Sequence, residues 1–269
     1  MKRILSRWLP IYAFAYILFL YLPVIFLPIF SVNMSSVPKL PLTGLTLDWY
    51  RQLPHTPALV DAAWNSLLVG IAASVLSTTL GICAARAITR YRFPGRRTAN
   101  GLIMAPLVLP EIIVAVSMLL IVLQLGLNLS LFTVVLGHVL ICIPYSLSVL
   151  TSGFEGFDRS LEEASADLGE TAFGTFRRIT LPMVAPAIIS SLLVSFTISL
   201  DEFVMAFFLA GTEATLPVYI WGQLRFAAKL PGVLALGTLL LVGSFLLLSL
   251  AELLRRRAAR RTNAELIHV

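Results

Sequence analysis

The sequence is short of the charged residues that cover soluble proteins and of the residues that build common metal sites. Only 13% of its 269 residues are charged, against 58% hydrophobic residues, and the mean hydropathy is +0.90. These values exclude an ordinary soluble domain and indicate an integral membrane protein. The two cysteines, Cys83 and Cys142, lie inside apolar segments without a C-x-x-C pairing, so neither a disulfide framework nor a zinc site is indicated.

Motifs for nucleotide hydrolysis and for common hydrolytic chemistry are also missing. The chain has no G-x-x-x-x-G-K-[ST] phosphate loop, so we do not expect it to bind and hydrolyse ATP. It has no H-E-x-x-H and no G-x-S-x-G, and His55, His138 and His268 are scattered along the chain. We therefore expect no catalytic residue, metal site or cofactor here. His138 is interpreted as a packing or hydrogen-bonded residue, with a direct substrate role as the alternative.

Apolar segments make up most of the sequence. Six of them are long enough to cross the roughly 30 Å hydrocarbon layer, which takes about 20 helical residues. They cover approximately residues 10–32, 62–88, 100–125, 131–152, 183–210 and 232–254. The first is interpreted as a retained membrane helix, because no small-residue cleavage site follows it. Pro106 and Pro110 are expected to distort the third.

The basic residues are distributed unevenly about these segments. An even number of spans places both termini on one side of the membrane. Sixteen of the twenty lysines and arginines then fall on the side of the termini, and only Lys39, Arg51, Arg225 and Lys229 on the other. By the positive-inside rule this asymmetry predicts cytoplasmic termini.

A long polar interval separates the fourth and fifth segments. It contains Glu163-Ala164-Ser165-Ala166-Asp167-Leu168-Gly169, then nine residues, then Ile179-Thr180-Leu181-Pro182. The charges between residues 158 and 178 are too dense for a lipid-embedded helix, and Gly169 permits a sharp turn. We therefore predict a short helix, a bend and a second short helix outside the bilayer, with a surface that suits a partner's groove. The alternative is an ordinary amphipathic linker helix.

The order and spacing of this interval resemble the EAA signature, E-A-A-x(3)-G-x(9)-I-x-L-P, of inner-membrane permease subunits of binding-protein-dependent ABC importers; Ser165 for the second alanine is the one departure. The resemblance implies an all-α, polytopic membrane protein with about six transmembrane helices and the type I, MetI-like architecture. It implies one permease domain over residues 1–269, with a cytoplasmic coupling loop at about 153–182. The implied ATPase-coupling residues are Glu163, Ala164, Ser165, Gly169, Ile179, Leu181 and Pro182.

The resemblance also implies a location and a set of partners. We expect a multi-pass protein of the bacterial inner membrane, surrounded by lipid, with both termini in the cytoplasm. Its partners would be a cytoplasmic ATPase dimer that binds ATP and Mg²⁺, a periplasmic substrate-binding protein and a second permease subunit; no nucleic acid is expected. Whether that second permease is a homologue or an identical chain is left open. The competing class is a channel or secondary transporter, which would have no need of an EAA-like loop.

Shorter stretches resemble the spermidine/putrescine branch of these permeases. They are Leu109-Pro110-Glu111-Ile112, Ser199-Leu200-Asp201-Glu202-Phe203, Phe207-Phe208-Leu209-Ala210-Gly211 and Thr215-Leu216-Pro217. This resemblance implies a polyamine substrate, with opine, thiamine, iron(III) and sulfate importers on the same scaffold as alternatives. Acidic residues within membrane segments agree with a cationic substrate, because a desolvated ammonium needs a carboxylate or aromatic partner.

The candidate substrate-pathway residues are Glu111, Asp201, Glu202 and Phe203. Glu111 lies about ten residues into the third segment, roughly 15 Å from its inner end, and Asp201 about eighteen residues into the fifth, roughly 27 Å in. The sequence therefore predicts counter-charges at two depths. The alternatives are a carboxylate held by backbone amides at a helix terminus for Glu111, and a subunit-contact pair near the outer surface for Asp201 and Glu202.

Overall fold

The computed structural model describes residues 2–156 and 158–246, and over these residues it confirms the all-α expectation. One isolated antiparallel bridge joins Asn33 and Leu45. The described residues form two compact units, a central one of residues 58–219 and a second one of residues 2–57 and 220–246. The end of the sixth predicted segment and the basic tail, residues 247–269, lie outside the described part of the chain.

The central unit carries the helices that position the candidate site. They are α3 (Pro57–Arg90), α4 (Arg96–Val108), α5 (Glu111–Gln124), α6 (Leu131–Glu155), α7 (Ser160–Asp167), α8 (Ala172–Thr175), α9 (Leu181–Asp201) and α10 (Val204–Leu209). α6 packs along α9, and α10 packs against α5 and α6. The apolar core of the unit lies between these helices and is rich in valine, leucine and alanine. α11 (Leu216–Gln223) follows α10 in the chain.

The second unit contains α1 (Lys2–Ser31), α2 (Asp48–Gln52), a 3₁₀ turn (Leu53–His55) and α12 (Ala227–Leu246). From Trp8 onward, α1 has a mean hydropathy of 2.3 over its most apolar stretch, and none of that stretch is buried. An apolar helix with this exposure is suited to a lipid environment. In the loop after α1, the Trp49 Nε1–H donates a 2.9 Å hydrogen bond to the Asn33 carbonyl oxygen.

Buried polar side chains connect α3, α6 and α9. The pairs are Thr78 with Ser191 at 2.9 Å, Ser146 with Ser195 at 2.8 Å and His138 Nδ1 with Ser199 Oγ at 2.7 Å. Such contacts between small polar residues stabilise helix association in lipid, at roughly 0.6 kcal/mol each. The position of His138, buried and bonded to α9, agrees with its interpretation as a hydrogen-bonded packing residue.

The third predicted segment, residues 100–125, is divided into two helices, and the break lies at Pro110, one of the two prolines expected to distort it. α4 ends at Val108, α5 begins at Glu111, and the two helices are bent by 107°. The cause is local, because a residue before proline is disfavoured in the helical region, and Leu109, which precedes Pro110, is extended with ψ 144°. The described residues contain five helices long and apolar enough to cross a membrane, or up to six if the bent pair counts as one span.

The fifth predicted segment, residues 183–210, is also not one helix. A helical run from Ala172 to Asp201 ends at Glu202, which is extended with ψ 111°, and α10 is a separate helix. The Glu202 side chain accepts a 3.0 Å hydrogen bond from the Met205 N–H, which satisfies one of the amide groups that the first turn of α10 leaves without a partner. The span therefore begins earlier and ends earlier than its hydropathy predicts.

Gly153 of α6 lies against Ala187 of α9, so closely that a Cβ atom at position 153 would collide with the alanine side chain. We expect Gly153→Ala to lower the stability of the protein by about 1–3 kcal/mol, the usual cost of overpacking. The matched control is Gly101→Ala in α4, where an added Cβ meets nothing within 4 Å. Thermal unfolding in detergent measures both variants, and equal midpoints would contradict the close packing of α6 on α9.

Candidate functional site

The polar interval folds as a helix, a bend and a second helix. α7 ends at Asp167, and Gly169 has φ +83°, a left-handed conformation that glycine adopts without strain. α8 then continues through a π-helical segment, Phe176–Thr180, directly into α9. The loop is therefore covalently continuous with a membrane-spanning helix through a helical connection, and the helix–bend–helix prediction for this stretch is confirmed.

Polar side chains accept hydrogen bonds from amide groups at the amino ends of both short helices. Asp158 Oδ1, before α7, accepts a 2.9 Å hydrogen bond from the Ser160 N–H, and Thr171 Oγ1, before α8, accepts a 3.1 Å bond from the Gly174 N–H. Such capping satisfies amide groups that the helix itself leaves without partners. The hydrogen bonds from Ser160 also hold the pKa of Asp158 below its usual value.

Two large apolar side chains stand on the outside of the bend. Leu168 is 89% exposed and Phe173 is 73% exposed, one on each side of Gly169. Among the residues that the resemblance assigns to coupling, Glu163, Ala164, Gly169 and Pro182 are exposed, whereas Ile179 and Leu181 are half-buried. Exposed apolar side chains in a loop too polar for lipid are typical of a protein-binding surface. Sequence reasoning missed Phe173, although an aromatic residue inside a polar interval was the available signal.

Ser165 lies inside the loop rather than on this surface. It is buried, and its Oγ is 2.9 Å from Thr175 Oγ1 of α8. This hydrogen bond holds α7 against α8. The small side chain that the EAA pattern requires at this position therefore fits the packing between the two helices.

The adjacent Glu162 and Glu163 have different surroundings. Glu163 forms a 3.0 Å ion pair with Arg159 in which both side chains are 64% exposed. Glu162 points inward, where its Oε2 is 3.0 Å from Arg90 Nε at the end of α3 and its Oε1 accepts a 2.6 Å hydrogen bond from Thr180. Sequence reasoning assigned Arg90 only to membrane topology and did not single out Glu162.

A cavity of about 270 Å³ lies beside this ion pair. It is open to one side, between the end of α3 and the loop. Its lining includes Arg86, Arg90, Arg159, Glu162, Glu163 and Glu170. The three arginines and three glutamates of this lining leave no net preference for an anion or a cation.

Glu111 and Glu202 come together, although 91 positions separate them in the chain. Their carboxyl groups lie within hydrogen-bonding reach of each other, with Glu202 buried and Glu111 exposed. The bend before α5 therefore brings Glu111 to Glu202, which directly follows the end of α9, whereas the sequence placed the acidic residues of the two segments at separate depths. Asp201 itself is exposed. Two carboxylates this close repel each other, so a cation placed between them is favoured.

Aromatic rings adjoin the carboxyl pair in the sequence. Phe203 and Phe207 have ring centroids 5.4 Å apart, and Phe207 and Phe208 pack edge to face at 5.5 Å. Phe203 follows Glu202 directly and is half-buried. Carboxylates with neighbouring aromatic faces can hold an ammonium group and the methylene chain attached to it.

Helices of spanning length and a polar loop that continues into one of them are the architecture of a polytopic membrane protein. Residues 77–260 match the family model described as "binding-protein-dependent transport system inner membrane component", and the chain belongs to this family. It is 34% identical to the spermidine/putrescine transport system permease protein PotC of Haemophilus influenzae over 94% of this chain and 99% of that protein. It is 38% identical to the putrescine transport system permease protein PotI of Escherichia coli K12 over 83% and 82%.

A solved structure has the same fold. The chain aligns with a chain of a bacterial ABC transporter that imports the acidic polysaccharide alginate, with a TM-score of 0.73 and 17% identity, over 92% of this chain and 96% of that one. Together with the family match, this similarity identifies the chain as a permease of an ABC importer, with the architecture expected from the sequence.

Proposed function

We propose that this chain is a permease subunit of a polyamine importer in the bacterial inner membrane. The observation that carries the proposal is the Glu111–Glu202 carboxyl pair beside Phe203. A diamine has two ammonium groups joined by methylenes, so it matches paired carboxyls and an aromatic face better than sulfate does. The relatives named above as spermidine/putrescine and putrescine permeases support the same substrate class.

The pair acts as a transient binding site in this mechanism. When a diamine arrives, one ammonium group lies between the two carboxyls, and Phe203 contacts the methylenes. Glu111 begins one helix and Glu202 follows the end of another, so a relative movement of α5 and α9 separates the two carboxyls. Separation weakens the site and releases the substrate, as conduction through successive weak sites requires.

ATP binding and hydrolysis belong to the partner proteins. A cytoplasmic ATPase dimer binds ATP and Mg²⁺, and the loop at residues 153–182 seats in its groove through Glu163, Ala164, Gly169 and the exposed Leu168 and Phe173. Closure of the dimer moves the loop, and α9 follows because α8 continues into it. A second, homologous permease completes the membrane channel. A periplasmic binding protein delivers substrate to the outer side, opposite the cytoplasmic termini.

Reconstitution of the whole importer tests the proposal. The two permeases, the ATPase and the binding protein are placed in liposomes, and uptake of radiolabelled putrescine and spermidine is measured with and without ATP. We expect ATP-dependent uptake of at least one amine and no competition from sulfate, thiamine or iron(III). Uptake of one of these other ligands without amine uptake would refute the polyamine assignment, and purification without any ATPase would refute the coupling role of the loop.

A further inference from the structure

The end of α3 is joined to the loop by the ion pair between Arg90 and Glu162 and by the contact between Arg86 and Phe176. We propose that Glu162 is a positioning residue that makes α3 move together with α7 and α9 when the loop moves. The proposal rests on the coupling function proposed above, and it adds a second route from the loop into the membrane besides the covalent one through α8.

The two oxygens of Glu162 bind different elements. Oε2 is 3.0 Å from Arg90 Nε in the last residue of α3, and Oε1 accepts the 2.6 Å hydrogen bond from Thr180, the last residue of the π segment. One rigid carboxylate group therefore fixes the distance between α3 and the start of α9. Because Glu162 itself belongs to α7, three elements meet at one side chain.

A second contact lies one helical turn earlier on α3. The Arg86 guanidinium sits 4.3 Å from the centroid of the Phe176 ring, at the first residue of the π segment. Arg86 and Arg90 are four residues apart and so share one face of α3. This face is held against the π segment at both of its ends, Phe176 and Thr180, and relative sliding of the two elements would break both contacts together.

Burial distinguishes this ion pair from its neighbour. The side chains of Arg90 and Glu162 are 12% and 16% exposed, against 64% for both members of the Arg159–Glu163 pair. An exposed pair contributes little because water and salt screen it. Removing one partner of a buried pair is costly, because the remaining charge stays buried without compensation. The two adjacent glutamates thus have separate roles, Glu163 toward the partner and Glu162 toward the membrane helices.

Removing the ion pair between Arg90 and Glu162 is expected to impair transport without preventing ATP hydrolysis. The loop still carries its exposed surface and still continues into α9, so the ATPase still binds and still hydrolyses ATP. α3, however, has lost its ion pair with the loop and follows it incompletely. The importer then hydrolyses more ATP for each substrate molecule that it transports.

The test uses the complete importer in liposomes with Glu162→Gln, Arg90→Gln and the exchange of both charges, Glu162→Arg with Arg90→Glu. We expect each single variant to lower the ratio of substrate transported to ATP hydrolysed about tenfold, and the exchange to restore much of that ratio. The matched control is Arg92→Gln, an exposed arginine two residues further along the same turn, whose ratio should equal that of the wild type. A normal ratio in both single variants would overturn the inference.

A distance measurement separates this link from general stability and from the coupling role. Spin labels at Tyr91 and Ala166, both exposed, are introduced after Cys83 and Cys142 are replaced. We expect one narrow distance distribution in the wild type, unchanged by ATP, and a broad one in Glu162→Gln. The milder Thr180→Val, which keeps the ion pair, should give an intermediate width. An equally narrow distribution in all variants would overturn the link even if the ATPase remains bound, whereas loss of the ATPase from the wild type would refute the coupling function instead.

Discussion

Gly169→Trp is expected to reduce substrate uptake about thirtyfold or more while the protein still inserts and folds. Position 169 has φ +83° and nothing within 4 Å of an added Cβ, so the indole would project from the bend between the exposed Leu168 and Phe173. It would strain the turn by about 1–2 kcal/mol and keep the loop out of its groove. A central interface residue typically contributes about 2 kcal/mol or more. Uptake and substrate-stimulated ATP hydrolysis in liposomes measure the loss.

Gly95→Trp is a closely matched control for this variant. Gly95 has φ +82° and likewise meets nothing within 4 Å of an added Cβ, but it lies in the turn between α3 and α4 rather than in the loop. Both variants therefore introduce the same strain, and only the one at position 169 changes the proposed docking surface. Equal uptake by the two variants would contradict the assignment of that surface.

Glu111→Gln and Glu202→Gln are each expected to lower putrescine uptake about tenfold at saturating binding protein, with ATP hydrolysis retained. The reason is that the two carboxyls form one site, so losing either removes the paired charge that a diamine ammonium requires. The double variant should be only slightly worse than the single ones, because groups that act as a unit are not additive. Initial rates with radiolabelled putrescine provide the measurement.

Asp201→Asn serves as the comparison for these two variants. Asp201 precedes Glu202 in the chain and carries the same charge, but it is exposed. Its replacement should change uptake far less. A strictly multiplicative loss in the Glu111 and Glu202 double variant, or a larger loss for Asp201→Asn, would mean that the carboxyls act separately along the path, as their predicted depths in the sequence implied.

The sequence predicted the loop well because its signals are local. The density of charge, the glycine at the bend and the spacing to Pro182 all act within about twenty residues, and helix capping and backbone strain act at the same short range. The third segment shows the limit of this reasoning. Pro110 was expected to distort a helix, but the hydropathy pattern does not predict the direction in which the chain bends. The approach of Glu111 to Glu202 could therefore not be derived.

The inward position of Glu162 could not be derived from the sequence either. Two glutamates stand side by side, and the family motif draws attention to Glu163. Which of them faces the membrane helices depends on the rotation of α7 about its axis, and that rotation follows from the bend at Gly169 and the packing of Ser165 on Thr175. These are tertiary contacts, and no periodicity within an eight-residue helix specifies them.

In the π segment, Phe176–Thr180, the number of residues matters as much as their identity. A π turn contains one residue more than the α-helical turn that it replaces. Deleting one residue here would therefore convert the π turn into a regular α-helical turn and leave the helix before it at nearly the same rotation relative to α9. Inserting one residue would instead rotate everything before it by about 100° relative to α9. The bend and its apolar side chains would then face another direction, without any change in their own sequence. An insertion of one residue should therefore be selected against here, whereas a deletion of one residue should be tolerated.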